Sequence, residues 1–385
     1  MSITAETWDC VIVGAGPSGS ATAISAARAG LSVLLVDKSK FPRDKICGCC
    51  LNEKSISSLS KLNVLKNIDA NYLLNLKKLE LSISGRNFIM DLSGHGLAIS
   101  RPQLDQVLVD QAKQLGVTAM FETKVSVSEL SEGYRTVELR TTNQLTKHVR
   151  TKSVVIAIGL YASNIFTDPR EQESFRPTIA ENSYIGIGTK IYSSSSVIYN
   201  NSISMSVTNH GYIGITRLED DTIDVAGAID PVYLKKHDKI SDAVLEMLGN
   251  KLPDLRNELI TADWRGTPAL TRHRTFNLPA VYITGDAIRY VEPFTGEGIS
   301  WALESGILLG NNLKTFIASS NATSAWEKLW QENIGKKMIT SKLISRLLRY
   351  PNIVSFLLSI FFKHKITKNY LCRLVNQGNH ELQAL

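Results

Sequence analysis

The chain has 385 residues, of which 43% are hydrophobic and 21% are charged, and its formal net charge is +7. This composition is typical of a soluble globular protein with a sizeable core. The five cysteines do not form the disulfide framework of a secreted protein. The first residues lack a signal-peptide pattern and no run reaches about 18 apolar residues, so we expect a cytoplasmic protein without a transmembrane helix.

The positive charge gathers near the C-terminus. No acidic residue occurs between Glu332 and Glu381. The basic residues in that interval are Lys336, Lys337, Lys342, Arg346, Arg349, Lys363, Lys365, Lys368 and Arg373. Such a run is typical of a solvated helix face, and it also suits the surface of an anionic membrane. Peripheral membrane contact through this basic C-terminus is therefore a hypothesis, whereas no motif indicates binding to nucleic acid.

The predicted elements begin with a β-α-β unit. Residues 8–13 form an apolar run that is typical of a buried parallel strand. Residues 17–29 are mostly small and predict a helix, which Gly30 ends. Residues 31–36 are a second apolar run, so the sequence opens like a parallel α/β fold.

The middle of the chain mixes helices with two kinds of strand. Residues 52–62 and 103–115 are predicted helices. Residues 117–121 and 153–157 are apolar runs that we expect to return to the first sheet. Residues 79–99 alternate apolar and polar side chains, which predicts a half-buried antiparallel hairpin.

A change of texture after residue 184 indicates an inserted antiparallel sheet. Short β-rich runs are separated by Ser, Asn, Gly and Asp, which favour turns. The runs are residues 184–191, 197–199, 203–207, 212–216 and 222–229. A predicted helix at residues 238–248 packs on this sheet.

The last third returns to the first sheet and then becomes helical. Residues 281–284 are a predicted strand and residues 297–316 a predicted helix. Ser324 and Glu327 have the spacing of a capping box, which predicts a further helix over residues 324–350. A proline then breaks the chain before a last helical stretch.

A glycine motif joins the first strand to the first helix. Gly14, Gly16 and Gly19 have the spacing G-x-G-x-x-G in the strand–turn–helix context that the motif requires. The first glycine permits a tight turn, the second lets the backbone approach a pyrophosphate, and the third lets helix and strand pack closely. Asp37, at the end of the second strand, is placed to accept a hydrogen bond from an adenosine ribose. The motif predicts a dinucleotide site but does not separate NAD from FAD.

A second glycine-rich segment lies more than 260 residues later. Gly285 and Asp286 follow a predicted strand, and Gly296, Glu297 and Gly298 precede a predicted helix. The N-terminus of that helix can stabilise negative charge on a reduced flavin. This segment resembles the second FAD signature of the p-hydroxybenzoate-hydroxylase-like flavoproteins. The two segments in this order make FAD the predicted cofactor.

Within that superfamily the closer resemblance is to the geranylgeranyl-reductase-like branch. It is carried by residues 37–48, 100–105, 157–163 and 285–298. The resemblance implies an α/β fold with a discontinuous Rossmann-like FAD-binding domain, an inserted antiparallel β-sheet substrate domain and a helical C-terminus. The implied FAD-binding domain is residues 1–75, 100–180 and 265–320, the substrate domain is 76–99 and 181–264, and the C-terminal region is 321–385.

The resemblance also implies which residues bind the cofactor. Arg101 would contact FAD near the ribityl chain or the pyrophosphate, and Asp286 would bind the ribityl and ribose-phosphate region. The predicted cofactor-binding set is Gly14, Gly16, Ser18, Gly19, Asp37, Lys38, Arg101, Gly285, Asp286, Gly296, Glu297 and Gly298.

The sequence Cys-Gly-Cys-Cys at residues 47–50 departs from the family, which often has Cys-Gly-Gly there. Arg43 and Lys45 precede the loop and a predicted helix follows it, and both features lower a thiol pKa. Since the loop lies beside the flavin in the family, Cys47 is a candidate catalytic residue. Buried, inert cysteines are the alternative interpretation. We expect no metal site, because no second cluster supplies further ligands.

The predicted function is that of an FAD-dependent oxidoreductase acting on a hydrophobic small molecule. Reduction of a C=C bond is preferred, with NAD(P)H as a transient electron donor and Glu292 as a second candidate catalytic residue. One alternative is a flavin monooxygenase that hydroxylates an aromatic or polyketide-type substrate through a C4a-hydroperoxide. Another is a flavoprotein that modifies a protein partner. No second G-x-G-x-x-G indicates a separate NAD(P)H domain, and the oligomeric state is not predicted.

Overall fold

The computed structural model describes residues 6–161, 164–192, 201–275, 278–292, 294, 296–319 and 321–362. The strands in this part of the chain are β1 (Thr7–Val13), β2 (Val33–Val36), β3 (Cys50–Leu51), β4 (Leu74–Ile83), β5 (Arg86–Ala98), β6 (Thr118–Met120), β7 (Thr123–Ser131), β8 (Tyr134–Thr141), β9 (Thr146–Ile156), β10 (Thr178–Ile179), β11 (Ile185–Tyr192), β12 (Ser202–Thr208), β13 (Gly211–Arg217), β14 (Thr222–Ile229), β15 (Arg265–Ala269), β16 (Arg272–His273), β17 (Val281–Ile283) and β18 (Arg289–Tyr290). The α-helices are α1 (Pro17–Arg28), α2 (Glu53–Lys61), α3 (Arg101–Gln114), α4 (Pro169–Ser174), α5 (Pro231–Leu234), α6 (Ile240–Leu248), α7 (Arg256–Thr261), α8 (Gly298–Ile317), α9 (Ala322–Trp330), α10 (Lys337–Leu347) and α11 (Pro351–Phe361).

The first sheet has a parallel core that contains the predicted β-α-β unit. Strands β6, β2, β1, β9 and β17 lie side by side and run parallel. Strands β2 and β17 are buried and apolar throughout, as expected in a parallel sheet covered on both faces. The first half of β9 also pairs antiparallel with β8, which pairs with β7, and this hairpin was not predicted.

The second sheet confirms the predicted inserted antiparallel sheet. Its order is β15-β11-β14-β13-β12-β4-β5-β3, and β12 with β4 is its one parallel pair in the described part of the chain. The predicted hairpin at residues 79–99 is β4 and β5. Residues 197–199, predicted as a strand, lie outside the described residues. One face of the sheet packs on α6 through Ile213, Val225 and Val244, and the other face borders a cavity.

Close packing of α1 against α8 brings the two glycine-rich segments together. A Cβ at Gly306 would lie 2.2 Å from the Ser18 carbonyl oxygen, and a Cβ at Gly310 would lie 2.5 Å from Ser25 Cβ. Both distances are shorter than any side chain tolerates, so only glycine lets the two helices approach this closely. The turn that starts α1 and the loop that starts α8 therefore meet, although they are far apart in sequence.

The C-terminal helices correct one prediction. The prediction that a capping box begins a helix at Ser324 is wrong. Helix α9 begins at Ala322, directly after Asn321, and Ser324 lies inside its first turn. Packing decides the start of this helix. Trp326 is fully buried, and its Nε1 donates a hydrogen bond to the Ile283 carbonyl oxygen at 2.9 Å, which fixes α9 on β17.

The predicted helix over residues 324–350 is also not continuous. A π-helical segment, Gln331–Gly335, separates α9 from α10. Such a segment inserts one residue into the helical repeat and changes the face that the next helix turns towards the protein. The expected break after residue 350 is present, since α11 begins at Pro351.

Candidate flavin and substrate site

One cavity of about 320 Å³ lies between the two sheets. Residues from both glycine-rich segments line one end, among them Pro17, Asp286 and Gly298. Strands β4, β5, β12, β13 and β14 of the second sheet line the other end. Among the described residues, the predicted cofactor site and the inserted sheet therefore border the same cavity.

The three glycines of the first motif have different structural duties. Gly14 has φ +106°, and a Cβ there would lie 2.4 Å from the Ala157 carbonyl oxygen. A Cβ at Gly19 would lie 1.8 Å from the Gly14 carbonyl oxygen. A Cβ at Gly16 would meet only guanidinium groups, Arg43 Nη2 at 3.2 Å and Arg101 Nη2 at 3.9 Å. Gly14 and Gly19 thus shape the turn, while Gly16 keeps its backbone open beneath two cations.

Three cationic side chains converge beside this turn. Arg101 is buried and makes two hydrogen bonds to Asp105, from Nε at 3.0 Å and from Nη2 at 2.8 Å. Arg43 Nη2 lies 3.4 Å from the same carboxylate, and Arg43 Nε is buried without a hydrogen-bond partner in the described part of the chain. Lys45 Nζ lies 2.9 Å from the position of a Cβ at Gly159. Burial and the like charge of Arg101 lower the pKa of Lys45.

The cationic cluster fits the pyrophosphate of FAD. Arg43, Lys45 and Arg101 lie around the fully buried Asp105 carboxylate. Arg43 Nη2 also lies 3.7 Å from Asp37 Oδ2, and the charge of Asp286 acts on Lys45. The three cationic side chains, with an Arg43 Nε that has no hydrogen-bond partner among the described residues, are complementary to an anion with several acceptor oxygens. The open backbone at Gly16 and the N-terminus of α1 supply further N–H donors.

Asp37 and Lys38 are placed differently, although they are adjacent. The buried Asp37 carboxylate accepts backbone N–H hydrogen bonds from Ala15 at 2.8 Å and Ser39 at 2.9 Å. It therefore fixes the glycine turn and keeps further acceptor capacity for a ribose hydroxyl. Lys38 is exposed, and its Nζ lies 5.2 Å from the ring centroid of Tyr161. The structure does not bring Lys38 to the cavity wall.

A chain of buried hydroxyls connects the two segments. Ser18 Oγ lies 2.8 Å from Thr284 Oγ1, which lies 2.8 Å from Ser305 Oγ. Gly285 has φ +63°, and its N–H donates to Ser305 Oγ at 3.2 Å. Ser18 is predicted to bind the cofactor, but its hydroxyl is used in this hydrogen-bond chain, which holds α1 against the late loop.

The late loop directs a helix N-terminus at the cavity. Gly298 begins α8, and Gly298, Ile299 and Ala302 line the cavity. Gly296 has φ +72°, a conformation that favours glycine. The free N–H groups of the first turn of α8 therefore lie at the wall, where they suit the electron-rich edge of a flavin.

The two acidic residues of the late segment have separate roles. Asp286 lines the cavity, and burial raises its pKa against the opposing charges of Lys45 and Arg101. Glu297 accepts a hydrogen bond from Ser341 Oγ at 2.6 Å, which ties the late loop to α10. The structure brings Asp286 to the predicted flavin position and turns Glu297 towards the C-terminal helices.

Glu292, predicted as a catalytic residue, does not line the cavity. Its carboxylate is almost fully buried and accepts hydrogen bonds from Arg349 Nη2 at 3.2 Å and Thr271 Oγ1 at 3.4 Å. Burial raises the pKa of Glu292 against the charge of Arg349. These contacts fix the end of α10 on the core, and the catalytic role stays a prediction without support from placement.

The cysteine loop lies on the cavity wall. Cys47, Cys49 and Cys50 are free thiols that line it, and Cys50 Sγ donates to the Gly48 carbonyl oxygen at 2.9 Å. A hydrogen bond from Cys49 lowers the pKa of Cys47, and the charge of Arg101 adds to this effect against burial. The pKa values of Cys49 and Cys50 are raised. Cys47 is therefore the one of these three thiols whose pKa is lowered.

Asp224 is a cavity residue that the sequence interpretation missed. It lies in the middle of β14, is 6% exposed and lines the cavity. Its cross-strand neighbours are Lys190 on β11 and Thr216 on β13. Burial, together with the negative charge of Cys47, raises the pKa of Asp224 well above its ordinary value. The pKa shifts of the two groups that border this space are therefore opposite: the pKa of Asp224 is raised and that of Cys47 is lowered.

The sheet that forms the far end of the cavity changes from polar to apolar across its strands. Residues paired between adjacent strands form one row across the sheet: Lys190, Asp224, Thr216, Ile203, Leu79 and Met90. The next row on the same face is Gly188, Ala226, Gly214, Met205, Leu81 and Phe88. The small residues beside Asp224 do not fill the cavity and so leave room for a ligand. The Leu, Ile and Met side chains on β12, β4 and β5 make the more distant wall apolar. No group of three or more His, Cys, Asp or Glu among the residues described could hold a metal ion.

Comparisons with known proteins relate this chain to oxidoreductases. Residues 8–185 match the family model described as pyridine nucleotide-disulphide oxidoreductase. The menaquinone reductase of Mycolicibacterium smegmatis is 28% identical over 375 residues, which cover 90% of this chain and 86% of that protein. Digeranylgeranylglycerophospholipid reductase 1 of Methanococcoides burtonii is 23% identical, with 88% and 83% covered. A flavoprotein/dehydrogenase from Cytophaga hutchinsonii has a TM-score of 0.79 at 17% identity, over 96% of this chain and 93% of that one.

Similarity alone does not determine the reaction. Flavin-dependent brominases and a p-nitrophenol 4-monooxygenase are also among the similar proteins and folds. The names of these relatives and of the proteins with a similar fold therefore include reductases, brominases and a monooxygenase. The resemblance stated from the sequence is confirmed: the chain is an FAD-dependent oxidoreductase that is similar to the digeranylgeranylglycerophospholipid reductases and has the fold of a geranylgeranyl bacteriochlorophyll reductase-like protein from Thermoplasma acidophilum.

Proposed function

We propose that this enzyme reduces a carbon–carbon double bond in a polyprenyl-type lipid. The observation that carries the proposal is the single cavity, which joins the flavin-binding segments to an apolar sheet face. A long hydrocarbon chain suits walls of Leu, Ile and Met over a floor of Gly and Ala. Two relatives whose names are menaquinone reductase and digeranylgeranylglycerophospholipid reductase support this substrate class.

When bound in its reduced form, FAD would supply the hydride for this reaction, and the proton would have to come from elsewhere. One alkene carbon gains the hydride and the other gains the proton, so two C–H bonds replace the π bond. The residues of the chain therefore have three tasks. They hold the alkene beside the flavin, exclude water and deliver a proton at the cavity wall.

The residues that would hold FAD lie at one end of the cavity. The Gly16 backbone with Arg43 and Arg101 would bind the pyrophosphate, and Asp37 the adenosine ribose. The first turn of α8 would face the flavin. These assignments follow from the charge and the open backbone described above, together with the family resemblance.

We infer that Asp224 and Cys47 control the proton that the second alkene carbon gains. Two negative charges in one buried site repel each other, so the pair shares a single proton. Asp224 holds that proton, while the thiolate of Cys47 is stabilised by Cys49 and Arg101. Asp224 is the proton donor in this proposal, and burial first, with the charge of Cys47 in addition, raises its pKa.

Lys190 is the cross-strand neighbour of Asp224. Its Nζ forms an ion pair with Asp44 at 2.7 Å, and Asp44 is about half exposed. The positive charge of Lys190 opposes the rise in the pKa of Asp224 that burial causes.

The electron donor in the proposal is NAD(P)H, which binds transiently. The sequence has no second G-x-G-x-x-G, and this favours brief binding over a resident nicotinamide domain. Stopped-flow reduction of the FAD-loaded enzyme by NADH and by NADPH tests this step. Rapid bleaching of the flavin by either nucleotide supports it, and absence of bleaching by both contradicts it.

Anaerobic single turnover tests the proposed reaction. The enzyme is reduced with dithionite, mixed with a geranylgeranyl lipid without oxygen, and the product is analysed by mass spectrometry. We expect the flavin to reoxidise as the lipid gains two hydrogen atoms. If the flavin reoxidises only with O₂, and an oxygen atom then enters an aromatic substrate, the enzyme is a monooxygenase.

A further inference from the structure

Helices α10 and α11 bury small polar side chains against the protein. Ser341, Ser345 and Ser355 are buried, and their hydroxyls donate hydrogen bonds to other elements at 2.6, 3.4 and 3.3 Å, respectively. Helices of soluble proteins ordinarily turn their apolar stripe inwards. These two helices are held on the core partly by serines, so much of their apolar surface is left for the opposite side.

The outward side of both helices is apolar. Its side chains, which we call the outer face, are Ile339, Leu343, Leu347, Ile353, Phe356 and Ile360. Each is between 46% and 61% exposed. Spacings of three or four residues place the members from each helix on one side of that helix. Six large apolar side chains that are exposed together indicate a binding surface rather than scattered surface residues.

The charge around the outer face selects the partner. Lys342 and Arg346 are exposed and directly precede Leu343 and Leu347. No Asp or Glu occurs between Glu332 and the end of α11. An apolar stripe flanked only by cations is complementary to a bilayer with anionic headgroups.

The geometry of the helices fits a surface contact. No single helix among the described residues is long and apolar enough to cross a membrane. Helices α10 and α11 meet those criteria only as a pair bent by 107°. The buried serines also hold one side of each helix on the protein, which leaves the other side for contact in the plane of a membrane.

We propose that the outer face of α10 and α11 docks on an anionic lipid bilayer. The inner face of the same helices belongs to the apolar cluster that contains the cavity wall, with Ile344 and Leu358 packed against a cluster that includes Leu79 and Met90. Docking would thus hold the substrate sheet close to lipid. The inference does not depend on the proposed reaction, because docking is measured without turnover.

The test is sedimentation of the full-length FAD-loaded protein with vesicles. One set of vesicles is phosphatidylcholine alone, and the other contains equal amounts of phosphatidylcholine and phosphatidylglycerol. The variants are Leu343→Ser/Phe356→Ser in the outer face and Lys342→Gln/Arg346→Gln beside it. The matched control is Leu145→Ser/Val232→Ser, which removes two exposed apolar side chains, 70% and 66% exposed, elsewhere on the surface. Bound FAD per chain and the thermal midpoint show that each variant is folded.

We expect the wild type to bind the anionic vesicles more tightly than the neutral ones. The outer-face variant should lose about tenfold or more in partitioning to both. The charge variant should lose about thirtyfold on anionic vesicles alone, because it removes two cations that each contribute about 1 kcal/mol near such a surface. The control should bind like the wild type.

Three results would overturn the inference. The first is a wild-type protein that binds neither kind of vesicle. This result counts against the inference whether the outer face is covered by a second copy of the chain or by residues 363–385. The second is an outer-face variant that binds as well as the control. The third is a dimer in light scattering that the outer-face variant dissociates while vesicle binding stays unchanged, because the partner would then be a second copy of the chain.

Discussion

The two ends of the cavity are built by opposite means. At the flavin end, glycines are required because the backbone itself is crowded, as at Gly19, where a Cβ would lie 1.8 Å from a carbonyl oxygen. At the substrate end, Gly214 would place a Cβ 2.8 Å from the flexible Met205 sulfur, and small residues there chiefly leave space. The flavin end is fixed by backbone geometry and charge. The substrate end is defined by the positions at which small residues stand, because larger side chains there would fill the cavity.

This difference shows which end can change its function. Substitutions at the flavin end alter the fold or the charge balance around Asp105, and these affect any flavin chemistry. Substitutions of the apolar side chains on the sheet face alter chiefly the shape and polarity of the space beside the flavin. Proteins named as reductases, as a brominase and as a monooxygenase are similar to this chain in sequence or in fold, so the fold alone does not fix the reaction.

The largest effect is expected at the junction of the two ends. Asp224→Asn should lower kcat for alkene reduction by a factor of about 10² to 10⁴, the usual contribution of a positioned general acid. Bound FAD should be unchanged. Asp242→Asn, on the exposed surface of α6, is the control and should have wild-type activity. Steady-state kinetics with quantified flavin decides, and a kcat close to wild type in Asp224→Asn would remove this residue from the mechanism.

At the flavin end, Arg101→Met should destabilise the protein because it leaves the fully buried Asp105 carboxylate with only Arg43 at 3.4 Å. Breaking a buried pair costs about 3–5 kcal/mol of unfolding free energy. The double variant Arg101→Met/Asp105→Leu should recover most of that stability but not the affinity for FAD. Urea unfolding and FAD titration separate the two effects. Full FAD affinity in the double variant would contradict the assignment of Arg101 to the pyrophosphate.

The glycines of the first motif should respond differently from one another. Gly16→Val should leave the protein folded, since its Cβ meets only side-chain ends, but lower FAD affinity by about a hundredfold, or roughly 2.7 kcal/mol. Gly19→Ala should prevent folding, because its Cβ strikes backbone. Circular dichroism and FAD fluorescence quenching provide the measurements. Equal behaviour of the two variants would contradict their separate duties.

At the substrate end, Ala226→Phe should fill the space near Gly214 and raise KM for the lipid by about tenfold, with the flavin spectrum and FAD content unchanged. Val225→Leu changes a side chain on the opposite face of the same strand and is the matched control. A KM that is equally raised in both variants would indicate a general disturbance of the sheet rather than a blocked cavity.

A smaller effect is expected on the pH dependence of stability. The raised pKa of Asp224 means that the folded protein keeps a proton that the unfolded chain releases above about pH 3.9. Stability should therefore fall as pH rises between the unfolded and folded pKa values, by at most about 1.4 kcal/mol per pH unit. Asp224→Asn removes this slope, so its stability relative to wild type should rise from pH 5 to pH 8. Thermal melting of both proteins across that range is the measurement, and parallel pH profiles would contradict a protonated Asp224.

The difference between the flavin end and the substrate end also explains which site residues could be predicted from the sequence. The flavin end was predicted because its glycines have fixed spacing and a strand–turn–helix context. Asp224 was missed because a single acid in an alternating strand looks like an exposed position, and only the sheet register places it beside Lys190 and above the cavity. The role of Arg43 was seen only as an influence on thiols, since its proximity to Gly16 depends on tertiary packing.

The same reasoning explains the misses in the fold. The start of α9 is set by burial of Trp326 rather than by the local capping pattern at Ser324. The hairpin of β7 and β8 has an alternating pattern, with Val127, Val137 and Leu139 buried, but much of its remaining surface is polar and exposed. Local signals predict elements well only where tertiary contacts agree with them.

The central claim is that FAD and an apolar chain occupy one cavity. The most direct test is the visible spectrum of the oxidised FAD-loaded enzyme during titration with a saturated polyprenyl analogue, which binds without reacting. We predict a saturable shift of the flavin absorption that is lost in Ala226→Phe and retained in Leu145→Ser on the outer surface. An unshifted spectrum in the wild type, or an equal shift in Ala226→Phe, would show that the lipid and the flavin do not share this space.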